Sequence, residues 1–183
     1  MERRLFLKSA VMFSAFTAAA GLPFVAACAA RARETEKVAA DAAAPATADT
    51  LPFKKVVKTD AEWKQILTPE QYNVTRQKGT EAPYSSPLND IHDKGVFACV
   101  CCDLPLFSSD TKFDSHTGWP SFYAPIAKIN VREEVDKSLA ETRTEVLCNR
   151  CDAHVGHVFD DGPKPTGLRY CMNGVALKFV KKA

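Results

Sequence analysis

The sequence predicts a mainly β domain with two short helices at its front and a four-cysteine zinc site. Three observations predict it. From Gly95 onward the chain runs in short apolar and β-branched blocks separated by turn residues. Ahead of these blocks stand two helix-start signals in close succession, at Thr59 and Thr68. Four of the seven cysteines form two C-x2-C pairs, Cys99/Cys102 and Cys148/Cys151. With 183 residues, 46% apolar and 25% charged, the chain is of ordinary globular composition and long enough for one domain plus extras. A net charge of +2 leaves no electrostatic footprint for nucleic acid.

Residues 1–28 are expected to be an export signal. Arg3-Arg4 and Lys8 make a basic start, and residues 9–27 form an uncharged stretch of apolar and small residues. As a membrane span that stretch is marginal in length and interrupted by Gly21 and Pro23. The run Arg3-Arg4-Leu5-Phe6-Leu7-Lys8 resembles a twin-arginine signal, a route that handles folded proteins. Val25-Ala26-Ala27-Cys28 fits a bacterial lipobox, which would lipidate Cys28 and anchor the protein to a membrane; simple cleavage among the alanines is the alternative. Residues 29–51 hold no aromatic side chain and almost no large aliphatic one, so they cannot bury enough apolar surface to order themselves and read as a tether. The folded domain is expected over residues 52–183, in an exported, periplasmic or lipid-anchored protein.

Two helices open the domain. Thr59 or Asp60 can cap residues 61–67, with Trp63, Ile66 and Leu67 on one face. Thr68-Pro69-Glu70-Gln71 combines an N-cap, a proline at the first helical position and a glutamine three residues on, and Gly79 is placed to end that helix. Residues 81–93, with Pro83, Pro87 and Asn89-Asp90, read as loop. Strands are expected at residues 96–98 and 104–107, then as a hairpin of residues 124–135 and 142–147 turning at Asp136-Lys137-Ser138. A last strand starts at Arg169 and continues through Phe179.

The last strand carries the first candidate for chemistry. Side chains two apart share a strand face, so Arg169, Cys171 and Asn173 should lie side by side. A guanidinium next to a thiol favours the nucleophilic thiolate; the bland alternative is a small buried hydrophobe. Four thiolates at two C-x2-C spacings match a tetrahedral zinc site, structural because four protein ligands leave no open position. Asp103 and Asp152 each follow a pair, where such turns need a left-handed residue, and aspartate is among the few that tolerate it. Disulfides, a redox C-x-x-C, or a metal set of Cys148, Cys151, His154 and His157 are the alternatives. His154 and His157 can position an oxygen and pass protons. Three apart on an unbroken strand they would face opposite sides, unless Gly156 allows a bulge. Around Trp119 and Phe122 the chain holds a turn rich in aromatics, able to wall a small pocket or simply to pack under a loop.

These stretches converge. Thr68-Pro69-Glu70-Gln71-Tyr72-Asn73-Val74-Thr75-Arg76, Lys112-Phe113-Asp114-Ser115, Gly118-Trp119-Pro120-Ser121-Phe122, Arg143-Thr144-Glu145-Val146, Gly156-His157-Val158-Phe159-Asp160-Asp161-Gly162-Pro163 and Arg169-Tyr170-Cys171 together closely resemble the B-type peptide methionine sulfoxide reductases. The resemblance implies two antiparallel sheets, a structural zinc, and reduction of the R epimer of protein-bound methionine sulfoxide. It makes Cys171 the nucleophile, which becomes a sulfenic acid, with His154, His157 and Asn173 as polar site residues. Trp119 becomes the wall of a methyl pocket, with Phe122 and Arg169 beside the substrate, and Cys99, Cys102, Cys148 and Cys151 the zinc ligands. The implied partners are oxidised proteins or peptides and a thioredoxin-like or small-thiol donor, in a monomer that repairs exported proteins under oxidative stress.

The chain also departs from the family's pattern. Thr117 stands where many members carry a resolving cysteine, Asp103 and Asp152 where glycines are usual, Gly174 where serine is common and Val155 where leucine is. Subtracting ligands and nucleophile leaves only Cys28 and Cys101, and neither is expected to resolve the sulfenic acid. An exported zinc-knuckle binding module and a nucleic-acid zinc ribbon are the competing readings, the latter disfavoured by the small net charge.

Overall fold

The computed structural model describes residues 51–182; the expected export signal, Cys28 and all but the last residue of the expected tether lie outside the described residues. Both helices start as their caps dictate. Thr59 caps α1 (Asp60–Ile66), its side chain accepting from the Glu62 amide while the Glu62 carboxylate accepts from the Thr59 amide at 2.7 Å. Thr68 and Gln71 repeat this box on α2 (Pro69–Gln77), with Pro69 at the first turn. Two expectations fail at the far ends. Trp63 and Leu67 are buried, but Ile66 is 56% exposed, because Leu67 leaves the helix in an extended conformation and turns inward alone. Lys78, not Gly79, takes the left-handed position after α2, and its ammonium is held by Glu145 at 2.7 Å.

Among the described residues nine strands follow: β1 (Gly95–Cys99), β2 (Pro105–Ser108), β3 (Lys112–Phe113), β4 (Ser121–Phe122), β5 (Val131–Asp136), β6 (Arg143–Cys148), β7 (His154–Phe159), β8 (Arg169–Met172) and β9 (Leu177–Lys181). They make two antiparallel sheets, ordered β2-β1-β9 and β3-β4-β8-β7-β6-β5. The β5–β6 hairpin is the predicted one, but its first arm starts at Val131 rather than at residue 124. Pro125 cannot donate to a ladder, and Lys128–Asn130 form a 3-10 turn.

The largest correction concerns the last strand. Residues 169–179 are not one strand but two, in different sheets, joined by the 3-10 turn Gly174–Ala176. The cause is Glu81: its carboxylate accepts from the amides of Gly174 at 2.6 Å and Val175 at 2.8 Å, donors a continuous strand would place in its ladder. Between the sheets Phe97, Phe107, Phe122 and Tyr170 pack together, Phe122 lying 4.6 Å from Phe107 and 4.9 Å from Phe97 between ring centres. Each such pair is worth about 0.5–1.5 kcal/mol beyond its area. Committing Tyr170 to this core sends its neighbour Cys171 to the opposite face of the sheet.

Candidate active site and metal centre

On that opposite face, strand register lines up a row of polar side chains. Ser121 on β4, Cys171 on β8, His157 on β7, Glu145 on β6 and Glu134 on β5 are successive cross-strand partners. Beside Cys171 and His157 opens a cavity of about 120 Å³, completed by Trp119, Asn173, Thr80, Gly156, Phe159 and Arg143. Trp119 is fixed by donation from Nε1 to the Glu81 carbonyl at 3.3 Å. Asn173 accepts from the Glu81 amide at 3.1 Å and donates from Nδ2 to the Val155 carbonyl at 3.4 Å, leaving the second amide hydrogen for the cavity. It stands just past the end of β8, not on a continuous face with Arg169 and Cys171.

Both histidines lie on the side of Cys171. The β6–β7 register slips by one residue, so that Val146 pairs with Gly156 and Leu147 with His154, and this bulge undoes the alternation that would have parted them. Gly156 is required there by close approach: a Cβ on it would lie 2.2 Å from the Cys171 carbonyl oxygen. The rings meet edge to face with centres 5.3 Å apart, but they are not equivalent. His157 lines the cavity; His154 sits behind it, 2% exposed.

Each imidazole is backed by a carboxylate that the sequence reading did not single out. His154 Nδ1 is 2.8 Å from Glu145, which Lys78 also holds, and its buried Nε2 has no partner among the described residues. His157 Nε2 is 2.9 Å from Asp136, which Arg143 holds at 2.7 Å. Burial pushes the His154 pKa down against the pull of Glu145, so its ring is neutral near pH 7. Burial works to raise the Glu145 pKa, yet hydrogen bonds from Lys78 and His154 bring it below the ordinary glutamate value. Hydrogen bonds from Ser138, His157 and Arg143 hold Asp136 far below the usual carboxylate range. The available signals for Glu145 were its place at the edge of the apolar block Val146-Leu147-Cys148 and within the family-like run Arg143-Thr144-Glu145-Val146. Glu81, in a proline-rich loop, offered none.

The electrostatics of Cys171 differ from the sequence expectation. Burial raises its thiol pKa, and hydrogen bonds and charge from Thr117, Arg169 and Ser121 only oppose the rise. Arg169 is shared: its main grip is on Asp161, through two hydrogen bonds of 2.8 and 2.7 Å, it lies over the Phe159 ring at 4.4 Å, and it does not line the cavity. Phe122 is fully buried in the aromatic core and also stays out of the cavity.

The four paired cysteines come together as one cluster, all four sulfurs within 4.8 Å of one another. Sulfurs of Cys99 and Cys151 are 3.7 Å apart, and those of Cys102 and Cys148 3.5 Å. A tetrahedron with zinc–sulfur bonds of about 2.3 Å has edges of about 3.8 Å, so the donor set fits a single zinc ion. Asp103 and Asp152 have φ of 65° and 56°, and each amide returns to the carbonyl of the first cysteine of its pair at 2.9 Å. These are the equivalent left-handed turns read from the sequence. The competing metal set fails, since Cys148 and Cys151 cluster with Cys99 and Cys102, and no histidine joins that group among the described residues. The six described cysteines are all outside disulfides. Cys101 lies beside Cys151, Cys99 and Thr75, against the metal cluster and not on the cavity.

Known proteins place this arrangement. The SelR domain model matches residues 67–181. Peptide methionine sulfoxide reductase MsrB of Herminiimonas arsenicoxydans is 56% identical over 126 residues, covering 69% of this chain and 92% of that one. The namesake of Hahella chejuensis is 58% identical over 125 residues, covering 68% and 90%, and that of Methanosarcina mazei 55% over 128 residues, covering 70% and 91%. Among solved structures, the Mis18 'Yippee-like' domain aligns at 20% identity with a TM-score of 0.41, over 50% of this chain and 99% of that chain, a likeness too slight to bear on fold or activity.

Proposed function

Since the chain belongs to the SelR family of B-type peptide methionine sulfoxide reductases, oxidoreductases that reduce methionine sulfoxide in peptides, we propose that Cys171 carries that reaction here, on the R epimer. The observation that carries the assignment is the placement of Cys171 at the wall of the 120 Å³ cavity, register partner of His157 and flanked by Trp119 and Asn173. The Cys171 sulfur bonds to the sulfoxide sulfur while the sulfoxide oxygen takes up the thiol proton; that hydroxyl then passes to Cys171 Sγ as the transient sulfur–sulfur bond breaks, leaving methionine and a Cys171 sulfenic acid. Because burial keeps Cys171 a thiol at rest, its proton has to move as the bond forms. His157 is the carrier: donation of Nε2–H to Asp136 leaves Nδ1 as a lone pair, the tautomer logic of a carboxylate-backed base. His154 and Glu145 act behind it, orienting His157 rather than touching substrate. The indole of Trp119 walls the methyl slot, and fixing methyl and oxygen together selects one epimer. The four cysteines hold a structural zinc, which supplies folding energy and no chemistry to the cavity.

The sulfenic acid condenses with an external thiol, from a thioredoxin-like protein or a small molecule, releasing water, and a second thiol of that donor reduces the mixed disulfide and returns Cys171 as a thiol. The biological setting of this reading is export through the twin-arginine route to the periplasm or a lipid anchor at Cys28, as a monomer that repairs oxidised exported proteins. The zinc-filled fold suits a route that carries folded proteins. The test is mass spectrometry of epimerically pure methionine sulfoxide peptides with the protein and dithiothreitol. Loss of one oxygen from the R peptide alone, abolished by Cys171→Ser, is the expected result. Turnover that survives this substitution, or that favours the S peptide, overturns the reading.

A further inference from the structure

Three hydroxyl groups sit behind the Cys171 sulfur in an unbroken chain. Thr117 Oγ1 lies 3.9 Å from Cys171 Sγ, Ser115 Oγ lies 2.8 Å from Thr117 Oγ1, and Ser121 Oγ lies 2.7 Å from Ser115 Oγ. The far end is anchored, with Ser121 Oγ 3.1 Å from the Trp119 carbonyl oxygen. None of these hydroxyls takes part in the proton transfer through His157. Yet Ser121 is fully buried and is the β4 residue paired directly with Cys171.

Each hydroxyl has one hydrogen to give, and the chain can be oriented in two self-consistent ways. With Cys171 as a thiol, the S–H donates to Thr117, Thr117 to Ser115, Ser115 to Ser121 and Ser121 to the Trp119 carbonyl. Every donor is then satisfied. With Cys171 as a thiolate, all three hydroxyls turn round: Ser121 donates to Ser115, Ser115 to Thr117 and Thr117 to the sulfur. The only loss is at the Trp119 carbonyl, and an under-satisfied carbonyl costs less than an orphaned donor.

We propose that Ser121, Ser115 and Thr117 form a reversible hydroxyl chain that positions the Cys171 sulfur and turns to donate to it when it becomes an anion. Thr117 is the contact at the end of the chain and Ser115 acts through it, while Ser121 closes the chain and also lies beside the sulfur as its cross-strand partner. The chain contains no base, so it reorients and does not carry the proton, which leaves on the His157 side. Cooperative polarisation along three hydroxyls strengthens the terminal bond by a fraction per link. It also offsets the burial that raises the thiol pKa, the direction in which Thr117 and Ser121 act on Cys171. The inference rests on Cys171 being the reacting thiol, and it gives the threonine at the usual position of a resolving cysteine a task of its own.

The test reads the thiol and not sulfoxide reduction, so it can fail while the assigned reaction stands. The rate of Cys171 alkylation by iodoacetamide is followed against pH in the zinc-loaded protein carrying Cys101→Ser, with modification mapped to Cys171. Thr117→Val, which keeps shape and removes the hydroxyl, should move the midpoint to higher pH and slow alkylation at pH 7 severalfold. Thr117→Ser should restore it, and Ser115→Ala should move it the same way by less. Thermal midpoints report whether each variant is folded; should Thr117→Val not fold, Ser115→Ala gives the reading. An unchanged alkylation profile in the folded valine or alanine variant overturns the proposal, as does a profile that serine fails to restore.

Discussion

Gly156 shows how much of the site rests on one missing side chain. Its Cβ would have to enter the Cys171 carbonyl at 2.2 Å and the Met172 Cα at 2.9 Å, so the strand pair opens if one is added. Gly156→Ala should cost about 1–3 kcal/mol by overpacking, seen as a lower urea midpoint, and should depress turnover further by shifting Cys171 against His157. His154 makes a second residue-level prediction. Its pKa is pushed down by burial, so below the ordinary value of 6.5 the unfolded chain takes up a proton that the folded chain refuses. Stability is therefore present above about pH 6.5 and is lost as pH falls beneath it. Glu145, whose pKa is lowered, adds stability that is present above its ordinary value of 4.5 and disappears as pH falls through the folded value. Urea midpoints measured from pH 7 to pH 5 should decline, and His154→Gln should flatten that decline; an equal slope in the variant would contradict the account. The bulge at Gly156 was legible in the sequence as a glycine between two histidines. The carboxylates behind them were not, because Asp136, the last residue of β5, reads from sequence as part of a turn, and Glu145 reaches His154 only across a strand pair.

At the scale of elements, the two capping boxes and the broken strand matter most. Both boxes could be read directly, since Thr59 with Glu62 and Thr68 with Gln71 act within four residues. Helix α2 does more than fold locally. Arg76 donates to the Cys151 carbonyl at 2.8 Å, and Lys78 at its end holds Glu145. Thr68→Ala should therefore cost about 1 kcal/mol of cap energy and lower the thermal midpoint, while weakening the support of the metal cluster and of His154 together. The break between β8 and β9 could not be read from residues 169–179, whose pattern is that of one strand. It is imposed by Glu81 from a loop some ninety residues earlier, with the same residue holding Asn173 and Trp119.

For the molecule as a whole, the metal cluster joins the turn after β1 to the turn between β6 and β7, and so ties one sheet to the other. Binding at a structural zinc site of this kind is worth about 10–16 kcal/mol, comparable with or larger than the net stability of a domain. Cys99→Ser or Cys151→Ser, or removal of the metal by a chelator, should unfold the domain rather than slow it, read as loss of near-ultraviolet circular dichroism. Metal analysis of the folded protein should find one zinc per chain. Among the described residues Cys171 has no thiol partner: Cys101 lies against the metal cluster, and Thr117 is the neighbour on the sulfur. Non-reducing peptide mapping after a single turnover should recover Cys171 as a sulfenic acid or as an adduct of the added thiol. A Cys101–Cys171 disulfide in good yield would refute this.

The sequence by itself determined what depends on neighbours in the chain. Helix starts follow from caps three residues apart, the four ligands from C-x2-C spacing, the left-handed knuckle turns from Asp103 and Asp152, and the family from runs of several residues each. Tertiary structure alone decided which of these meet. Whether Trp119 walls a cavity or fills a core, whether Phe122 does the opposite, and whether residues 169–179 are one strand or two depend on the packing of Tyr170 and the reach of Glu81. The hydroxyl of Thr117 became a neighbour of Cys171 only through the pairing of β4 with β8. The physical reason is that caps and turns are satisfied by bonds within a few residues, whereas a buried carboxylate, hydroxyl or imidazole must find its partner across the fold or remain orphaned.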